Sequence, residues 1–98
     1  MNSVLGNLRN FDMNLLVVFM AVYEGKSFTQ AARLLGKGQP AISNAIAKLR
    51  KILNDRLFLR CSRSLVTTAK ADELAGILAA SFEALSAAVY AQRGPTAQ

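Results

Sequence analysis

The stretch SFTQAARLLGKGQPAISN, residues 27–44, constrains the fold more than any other part of the sequence. Ser27 and Gln30 have the spacing of a capping box, which predicts that a short helix begins here, and Gly36 predicts where that helix ends. Pro40 lies in the first turn of a second helix, where its missing N–H group has no cost. Two helices separated only by the four residues GKGQ are typical of a helix-turn-helix.

An earlier helix is predicted between Asp12, a candidate N-cap, and Gly25, which suits the left-handed conformation that ends many helices. Only two or three residues link this helix to the one that begins at Ser27, and so short a link forces the two helices to cross steeply. The apolar side chains of the earlier helix recur at helical spacing: Leu15, Leu16, Phe19, Val22 and Tyr23.

The second helix of the stretch, predicted from Gly38 to about Leu53, has two different faces. At about 100° per residue, one narrow stripe of apolar residues predicts the core face: Ile42, Ile46, Leu49 and Leu53. The opposite side carries small, polar and basic residues: Pro40, Asn44, Ala47 and Lys51, flanked by Ser43 and Lys48. Because these side chains pack against nothing in the predicted core, this second face is available for binding.

The segment LFLRCSRSLVTT, residues 57–68, changes to an alternating pattern that predicts two short strands. A polar tip, CSRS, joins them, with Arg60 and Arg63 on either side. We therefore predict a small hairpin, or wing, although the tip lacks the Asn-Gly or Asp-Gly of a tight turn.

A long alanine-rich helix is predicted from Thr68 to about Gln92, with Thr68 or Thr67 as its cap and Gly94-Pro95 as its stop. Its apolar stripe is longer than a small core can cover, which predicts a partner helix, most simply that of a second copy. The alternative is that the helix folds back on the first helix. The residues predicted to mediate dimerisation are Leu74, Leu78, Phe82, Leu85 and Val89.

Charge is distributed unevenly along the 98 residues, which carry a net charge of +6. Between Gly25 and Ala71 there are ten lysines and arginines and a single acid, Asp55. Such a basic middle indicates a surface that binds a polyanion; a solvated basic face is the alternative. Arg50, within this segment, either contacts the polyanion or pairs with Asp55.

Composition argues against several classes of protein. There is no histidine, the six acids are scattered, and Cys61 is the single cysteine, so an enzyme, a disulfide framework and a thiolate zinc site are all disfavoured and no cofactor is expected. The longest unbroken apolar run, Leu15 to Val22, is far shorter than the roughly 20 residues of a membrane span. We therefore expect a cytoplasmic protein that does not enter a membrane.

These elements together predict a mainly α fold, a winged helix-turn-helix of three helices and a two-stranded wing over residues 11–67. The linker or dimerisation helix follows over residues 68–92, with a flexible N-terminus at 1–10 and a flexible tail at 93–98. A winged helix can bind DNA, or it can serve as a protein-interaction module that does not bind DNA, which is the alternative function for this chain.

A helix-turn-helix suits double-stranded DNA because the major groove, about 12 Å wide, admits one α-helix. The predicted base contacts come from the start of the recognition helix: Gln39, Pro40, Ser43 and Asn44. The predicted backbone contacts are Ser27, Thr29, Lys48 and Lys51, and the wing arginines Arg60 and Arg63 suit a narrow minor groove. Ser27 also serves as a helix cap, and Gln39 and Pro40 have the alternative role of shaping the turn.

Residues 11 to about 92 resemble the N-terminal domain of LysR-type transcriptional regulators. The resemblance depends on three motifs in order: SFTQAARLL, QPAISNAIAKLR and LFLRCSRSLVTT. It implies the same base-reading and wing residues, dimers through the linker helix that often pair into tetramers, and binding to an interrupted inverted repeat rich in T and A in bacterial promoters. Members are typically about three times longer, with an effector-binding domain that these residues lack, so we expect a DNA-binding fragment or a naturally short protein.

Two positions depart from the family pattern. Many members carry a serine that caps the recognition helix where Gly38 stands, and many carry an arginine where Asn44 stands. Because Asn44 changes which base is read, no site preference is carried over at that position.

Overall fold

The computed structural model describes residues 1–91, which form five helices and a two-stranded antiparallel sheet. The three helices α2, α3 and α4 pack on one another, with the hairpin at one end and α5 across α2. The predicted mainly α, winged helix-turn-helix fold is confirmed. The elements are α1 Asn2–Leu8, α2 Asn14–Gly25, α3 Phe28–Leu35, α4 Gln39–Leu53, β1 Phe58–Cys61, β2 Ser64–Thr67 and α5 Ala69–Tyr90.

The core lies where α2, α4 and the first strand meet. Ile42, Ile46 and Leu49, three residues of the predicted core stripe, are fully buried, and Leu53 packs against them at the edge. Three aromatic rings fix the hairpin to the helices: the ring centroid of Phe58 lies 5.4 Å from that of Phe19 and 6.2 Å from that of Phe28. The wing is thus anchored by its first residue to both α2 and α3.

The helix ends follow mostly local rules. Ser27 Oγ accepts the Gln30 N–H at 3.0 Å to cap α3 as predicted. At the start of α2 the N-cap is Met13 and not the predicted Asp12, whose Oδ1 accepts the Asn14 N–H at 3.0 Å one residue ahead of the cap. Gly36 ends α3 in the left-handed conformation, with φ of 65°. Gly38 caps α4 without a side-chain hydrogen bond, because glycine has no side chain.

The prediction that Gly25 adopts the left-handed conformation is wrong, because Gly25 is helical and Lys26 takes that conformation instead, with φ of 50°. Such a backbone is uncommon for a residue other than glycine. Two contacts hold Lys26 there: its Nζ donates to the Tyr23 carbonyl at 2.6 Å and lies 4.0 Å from the centre of the Tyr23 ring.

Helix α1 is an element that the sequence prediction, a flexible segment over residues 1–10, does not contain. Val4, Leu5 and Leu8 have helical spacing, but three apolar residues around Gly6 are too few to stand out as a periodic pattern. None of the residues of α1 is buried.

Helix α5 packs on the domain as far as Phe82. Ala71, Ala75 and Leu78 are buried against the core and Phe82 packs partly against it, whereas Leu85 and Val89 are exposed. The helix begins at Ala69, capped by the Thr68 side chain as predicted. Its predicted end at Gln92, the stop at Gly94-Pro95 and the tail of residues 93–98 lie outside the described residues.

Among residues 1–91, α5 is the one helix that is long and apolar enough to cross a membrane, a property that core helices of soluble proteins share. The buried side chains at the start of α5 belong to the core of this domain, and the helix also carries Asp72, Glu73 and Glu83.

Two carboxylates hold the junction between the hairpin and α5. Asp55 Oδ2 accepts the Thr68 hydroxyl at 2.6 Å and the Leu57 N–H at 2.8 Å, and these two bonds lower the pKa of Asp55. Asp72 Oδ1 accepts the hydroxyls of Thr67 at 2.7 Å and Tyr23 at 2.8 Å. Those bonds lower the pKa of Asp72, and the shared proton raises the pKa of Tyr23.

We expect the chain to lose stability in acid through these two carboxylates. Their folded pKa values lie below the unfolded value of about 3.9, so the folded chain binds fewer protons. The stability they contribute is present above about pH 4 and is lost as the pH falls through the folded values. Asp55→Asn should lower the urea midpoint at neutral pH and flatten its decline in acid.

The matched control for this titration is Glu24→Gln, which changes an exposed carboxylate that makes none of these bonds and should leave the pH profile unchanged. If the urea midpoint of Asp55→Asn stayed below that of the unchanged chain by the same amount from neutral to acid pH, the loss of stability in acid would not come from protonation of Asp55.

Candidate nucleic-acid interface

The face of α4 that turns away from the core is exposed along its length. Pro40, Ser43 and Asn44 are exposed in its first half, and Lys48 and Lys51 are exposed in its second half. The core stripe on the other side fixes this orientation, because rotating the helix would bring Ile42, Ile46 and Leu49 into water. The side chains predicted to contact bases and phosphates on α4 are therefore accessible together.

Gln39, the first residue of α4, links the two helices of the helix-turn-helix. Its Nε2 donates to Thr29 Oγ1 at 2.9 Å. The amide retains one N–H and its carbonyl oxygen, the two groups that a bidentate contact to adenine uses. The Thr29 hydroxyl retains its own proton and can still donate to a phosphate oxygen.

A concave site of about 280 Å³ forms where α3, α4 and the wing meet. It brings together residues that the sequence assigns to three separate roles, namely Ser27 and Thr29, Gln39, and the wing arginines. Its lining contains three cations and no acid, and the partial positive charge at the start of α3 lies beside it. The residues that line it are Lys26, Ser27, Phe28, Thr29, Gln39, Arg60, Arg63 and Leu65.

Lys26 is the residue of this site that sequence reasoning missed. It lies in the basic segment directly before the Ser27 cap, which was the available signal. Its side chain is held by Tyr23 rather than extended into solvent, and that placement depends on a left-handed residue that the sequence does not reveal.

The wing has a tighter tip than predicted. Cys61 pairs with Ser64, so the turn contains only Ser62 and Arg63 and not the four residues CSRS. A positive φ of 55° at Ser62 allows this two-residue turn without a glycine. Arg60, opposite Leu65 on the first strand, and Arg63, in the turn, are both exposed.

The basic surface continues along α4 beyond the concave site. Asn44 and Lys48 line a depression with Lys37 and Asp12, on the side of α4 that faces the start of α2. Lys51 lines another with Arg56 at the far end of the helix. Lys48 and Lys51 therefore lie apart from the wing arginines, at two different edges of α4.

Arg50 has a structural role, and neither of its predicted alternatives is needed to explain it. Its Nε donates to the Arg56 carbonyl at 2.7 Å and its Nη2 to the Phe58 carbonyl at 3.0 Å. Asp55, the predicted partner, accepts from Thr68 and Leu57 instead. Arg50 thus attaches α4 to the segment that leads into the wing.

The five residues predicted to mediate dimerisation fall into three groups by their exposure. Leu78 is 6 % exposed and belongs to the core of its own chain, so the expectation that it faces a partner is corrected. Leu74 and Phe82 pack partly against that core. Leu85 and Val89 are 54 % and 61 % exposed and are the two that a partner could bury in full.

Residues 13–72 match the family model "Bacterial regulatory helix-turn-helix protein, lysR family". The chain is 49 % identical over 69 residues to the HTH-type transcriptional regulator LeuO of Escherichia coli, covering 70 % of this chain and 22 % of that protein. It is 39 % identical over 88 residues to the HTH-type transcriptional regulator SyrM 2 of Sinorhizobium fredii, covering 90 % and 26 %. The chain thus spans about a quarter of the length of these relatives.

Solved structures agree on the fold. A probable transcriptional regulator from Pseudomonas aeruginosa superposes with a TM-score of 0.81 at 38 % identity, covering 88 % of this chain and 29 % of that one. The BenM DBD in complex with catB site 1 DNA superposes with a TM-score of 0.77 at 27 % identity, covering 90 % and 99 %. The second structure is a complex with DNA.

Proposed function

The chain belongs to the lysR family of bacterial regulatory helix-turn-helix proteins, and from this premise we propose that it binds promoter DNA and regulates transcription in the bacterial cytoplasm. The observation that carries the proposal is the acid-free concave site of α3, α4 and the wing, continuous with the polar face of α4. The centre of a protein-binding surface is instead depleted of charged residues and more apolar.

In the proposed complex, helix 39–53 enters the major groove with its N-terminal half deepest. Gln39 and Asn44 each hold an adenine through paired amide contacts, and Pro40 offers apolar surface to a thymine methyl group. Ser43 is small enough to allow close approach and donates to either base type.

The remaining predicted contacts position the helix on the duplex. Ser27 and Thr29 meet a phosphate at the start of α3, where backbone N–H groups and the helix dipole favour an anion. Lys48 and Lys51 meet phosphates where α4 leaves the groove. Arg60 and Arg63 on wing residues 60–63 enter the adjacent minor groove, whose narrow form concentrates negative potential.

The proposed assembly is a homodimer on an interrupted inverted repeat. A two-fold axis between two copies of α5 would place two recognition helices on successive turns of DNA. Leu85 and Val89 support this assembly, because they continue the apolar stripe of α5 beyond the part that packs against the rest of the domain. In a longer protein such dimers could pair into tetramers.

Binding to the DNA upstream of the chain's own gene, against scrambled DNA, tests the proposal by fluorescence anisotropy at two salt concentrations. Tighter binding to the native sequence that weakens steeply with salt is expected, because neutralised phosphates release counterions. If neither DNA binds at low salt, the proposal fails and the polar face of α4 is left for a protein partner.

Replacing Leu85 and Val89 together by glutamate is expected to give a monomer by size exclusion with light scattering. Losing these side chains from both halves of an interface costs at least about 3 kcal/mol, or roughly 100-fold in dissociation constant. Ile52→Glu is the control, since Ile52 is 55 % exposed on α4 and lies outside the proposed interface. A double variant that dimerises as the unchanged chain does would place the interface elsewhere.

A further inference from the structure

The wing and α5 are joined without a flexible linker. One residue, Thr68, separates the end of β2 at Thr67 from the start of α5 at Ala69. Its backbone N–H donates to the Leu57 carbonyl at 3.0 Å. Its hydroxyl both caps α5, by accepting the Ala71 N–H, and donates to Asp55. The base of α5 is therefore tied to the segment that enters the wing.

Asp72 adds the contact that fixes the direction of α5. A single oxygen of this side chain accepts hydroxyls from two other elements, Thr67 at the end of β2 and Tyr23 in the last turn of α2. Hydrogen bonds to a charged acceptor are short and about twice as strong as neutral ones. Since the three attachment points lie on α2, β2 and α5, they restrict rotation of α5 about its base.

The length of α5 amplifies any change at this point. At about 1.5 Å per residue, the stretch from Asp72 to Tyr90 forms a lever of roughly 27 Å. A tilt of about 10° at its base moves its far end by ~5 Å, which exceeds the ~3.4 Å rise of one base pair. Leu78 and Phe82 pack against the core and limit the size of such a tilt. The small side chains of Ala71 and Ala75 make few contacts that fix the direction of the helix, so the hydrogen bonds at its base carry that role.

We propose that Asp72 is a positioning residue that sets the angle at which α5 leaves the DNA-binding domain. By doing so it determines the separation of the two half-sites that a dimer accepts. The inference rests on the proposed function and adds to it a residue that selects spacing without touching DNA.

The angle is measurable without DNA, by pulsed electron paramagnetic resonance between two spin labels. One label goes on the native Cys61, exposed on the wing, and the other on Ala87→Cys, on the side of α5 away from the core. Spin dilution with unlabelled Cys61→Ser chain isolates the distance within one chain. Asp72→Ala is expected to broaden the distance distribution by several Å, and Tyr23→Phe and Thr67→Val, which each remove one bond, by less.

The matched control is Glu73→Ala, which removes the neighbouring exposed carboxylate from the same helix turn and leaves both hydrogen bonds intact. Its distribution should stay as narrow as that of the unchanged chain. If the distance distribution of Asp72→Ala is as narrow as that of Glu73→Ala, the proposal is overturned. It is also overturned if all variants unfold at the same urea concentration and show the same distances.

Selection from a pool of random duplexes tests the consequence for DNA. The unchanged chain should enrich one half-site at one separation, and Asp72→Ala should enrich the same half-site at several separations. An unaltered single separation for Asp72→Ala overturns the inference while leaving the proposed function in place. If the unchanged chain enriches no sequence, the proposed function itself fails and the inference falls with it.

Discussion

Replacing Phe58 by alanine is expected to lower the free energy of unfolding by about 3–5 kcal/mol. The Phe58 side chain is 2 % exposed and contacts the rings of Phe19 and Phe28, so its removal loses both apolar burial and aromatic contact and leaves a cavity. Because small domains have only about 5–15 kcal/mol of stability in total, the variant should unfold at a much lower urea concentration, as followed by far-ultraviolet circular dichroism.

The control for this substitution is Leu34→Ala on α3, where the side chain is 72 % exposed and the expected change is within about 0.5 kcal/mol. Equal urea midpoints for the two variants would mean that the wing is not held by the core. Loss of the Phe58 ring should also displace the wing arginines. Phe58 is the first residue of β1, which carries Arg60 and leads into the turn that contains Arg63.

Features determined by a few neighbouring residues were predictable from the sequence. The Ser27 cap, the left-handed Gly36 and the proline in the first turn of α4 each follow from chemistry within about four positions. The stripe of Ile42, Ile46 and Leu49 was predictable because fifteen residues of α4 give several repeats of the helical period. Together these features were enough to fix the fold class.

Features that depend on distant residues were not predictable. Asp72 and Tyr23 are 49 positions apart, and nothing in either segment marks the hydrogen bond between them. The sequence suggests that Arg50 is a surface cation, yet its guanidinium donates hydrogen bonds to the backbone carbonyls of Arg56 and Phe58, at the entry to the wing. The left-handed Lys26 depends on the Tyr23 ring beside it, whereas local preference favours the glycine one position earlier.

The candidate site was predicted in composition but not in arrangement. Exposed residues of α4 follow from the core stripe alone, since the opposite face cannot be buried in so small a domain. That Thr29, Gln39 and Arg63 line one concavity depends on the crossing of α3 and α4 and on the two-residue wing turn. On α5 the sequence was less informative, because the apolar pattern does not distinguish Leu78, which is buried in its own chain, from Leu85, which is exposed.

The largest effect on recognition is expected at Asn44, at the middle of the exposed face of α4. Asn44→Ala should remove about 1–3 kcal/mol of discrimination at one base pair, because a bidentate amide contact to adenine is lost. Affinity for unrelated DNA should change little, since that binding depends on phosphate contacts. Anisotropy titrations with duplexes from the selected sequence, and with each alternative base at that position, measure both quantities.

Two further variants on the same helix separate base reading from phosphate contact. Lys51→Ala should weaken binding to all sequences alike and reduce the slope of log affinity against log salt by about 1, without altering base preference. Asn44→Arg should shift the preferred base from adenine towards guanine, whose O6 and N7 match the guanidinium fork. If Asn44→Ala instead weakened binding to all duplexes equally, Asn44 would contact the DNA backbone. The proposed orientation of α4 in the major groove would then have to rotate so that Ser43 faces the bases.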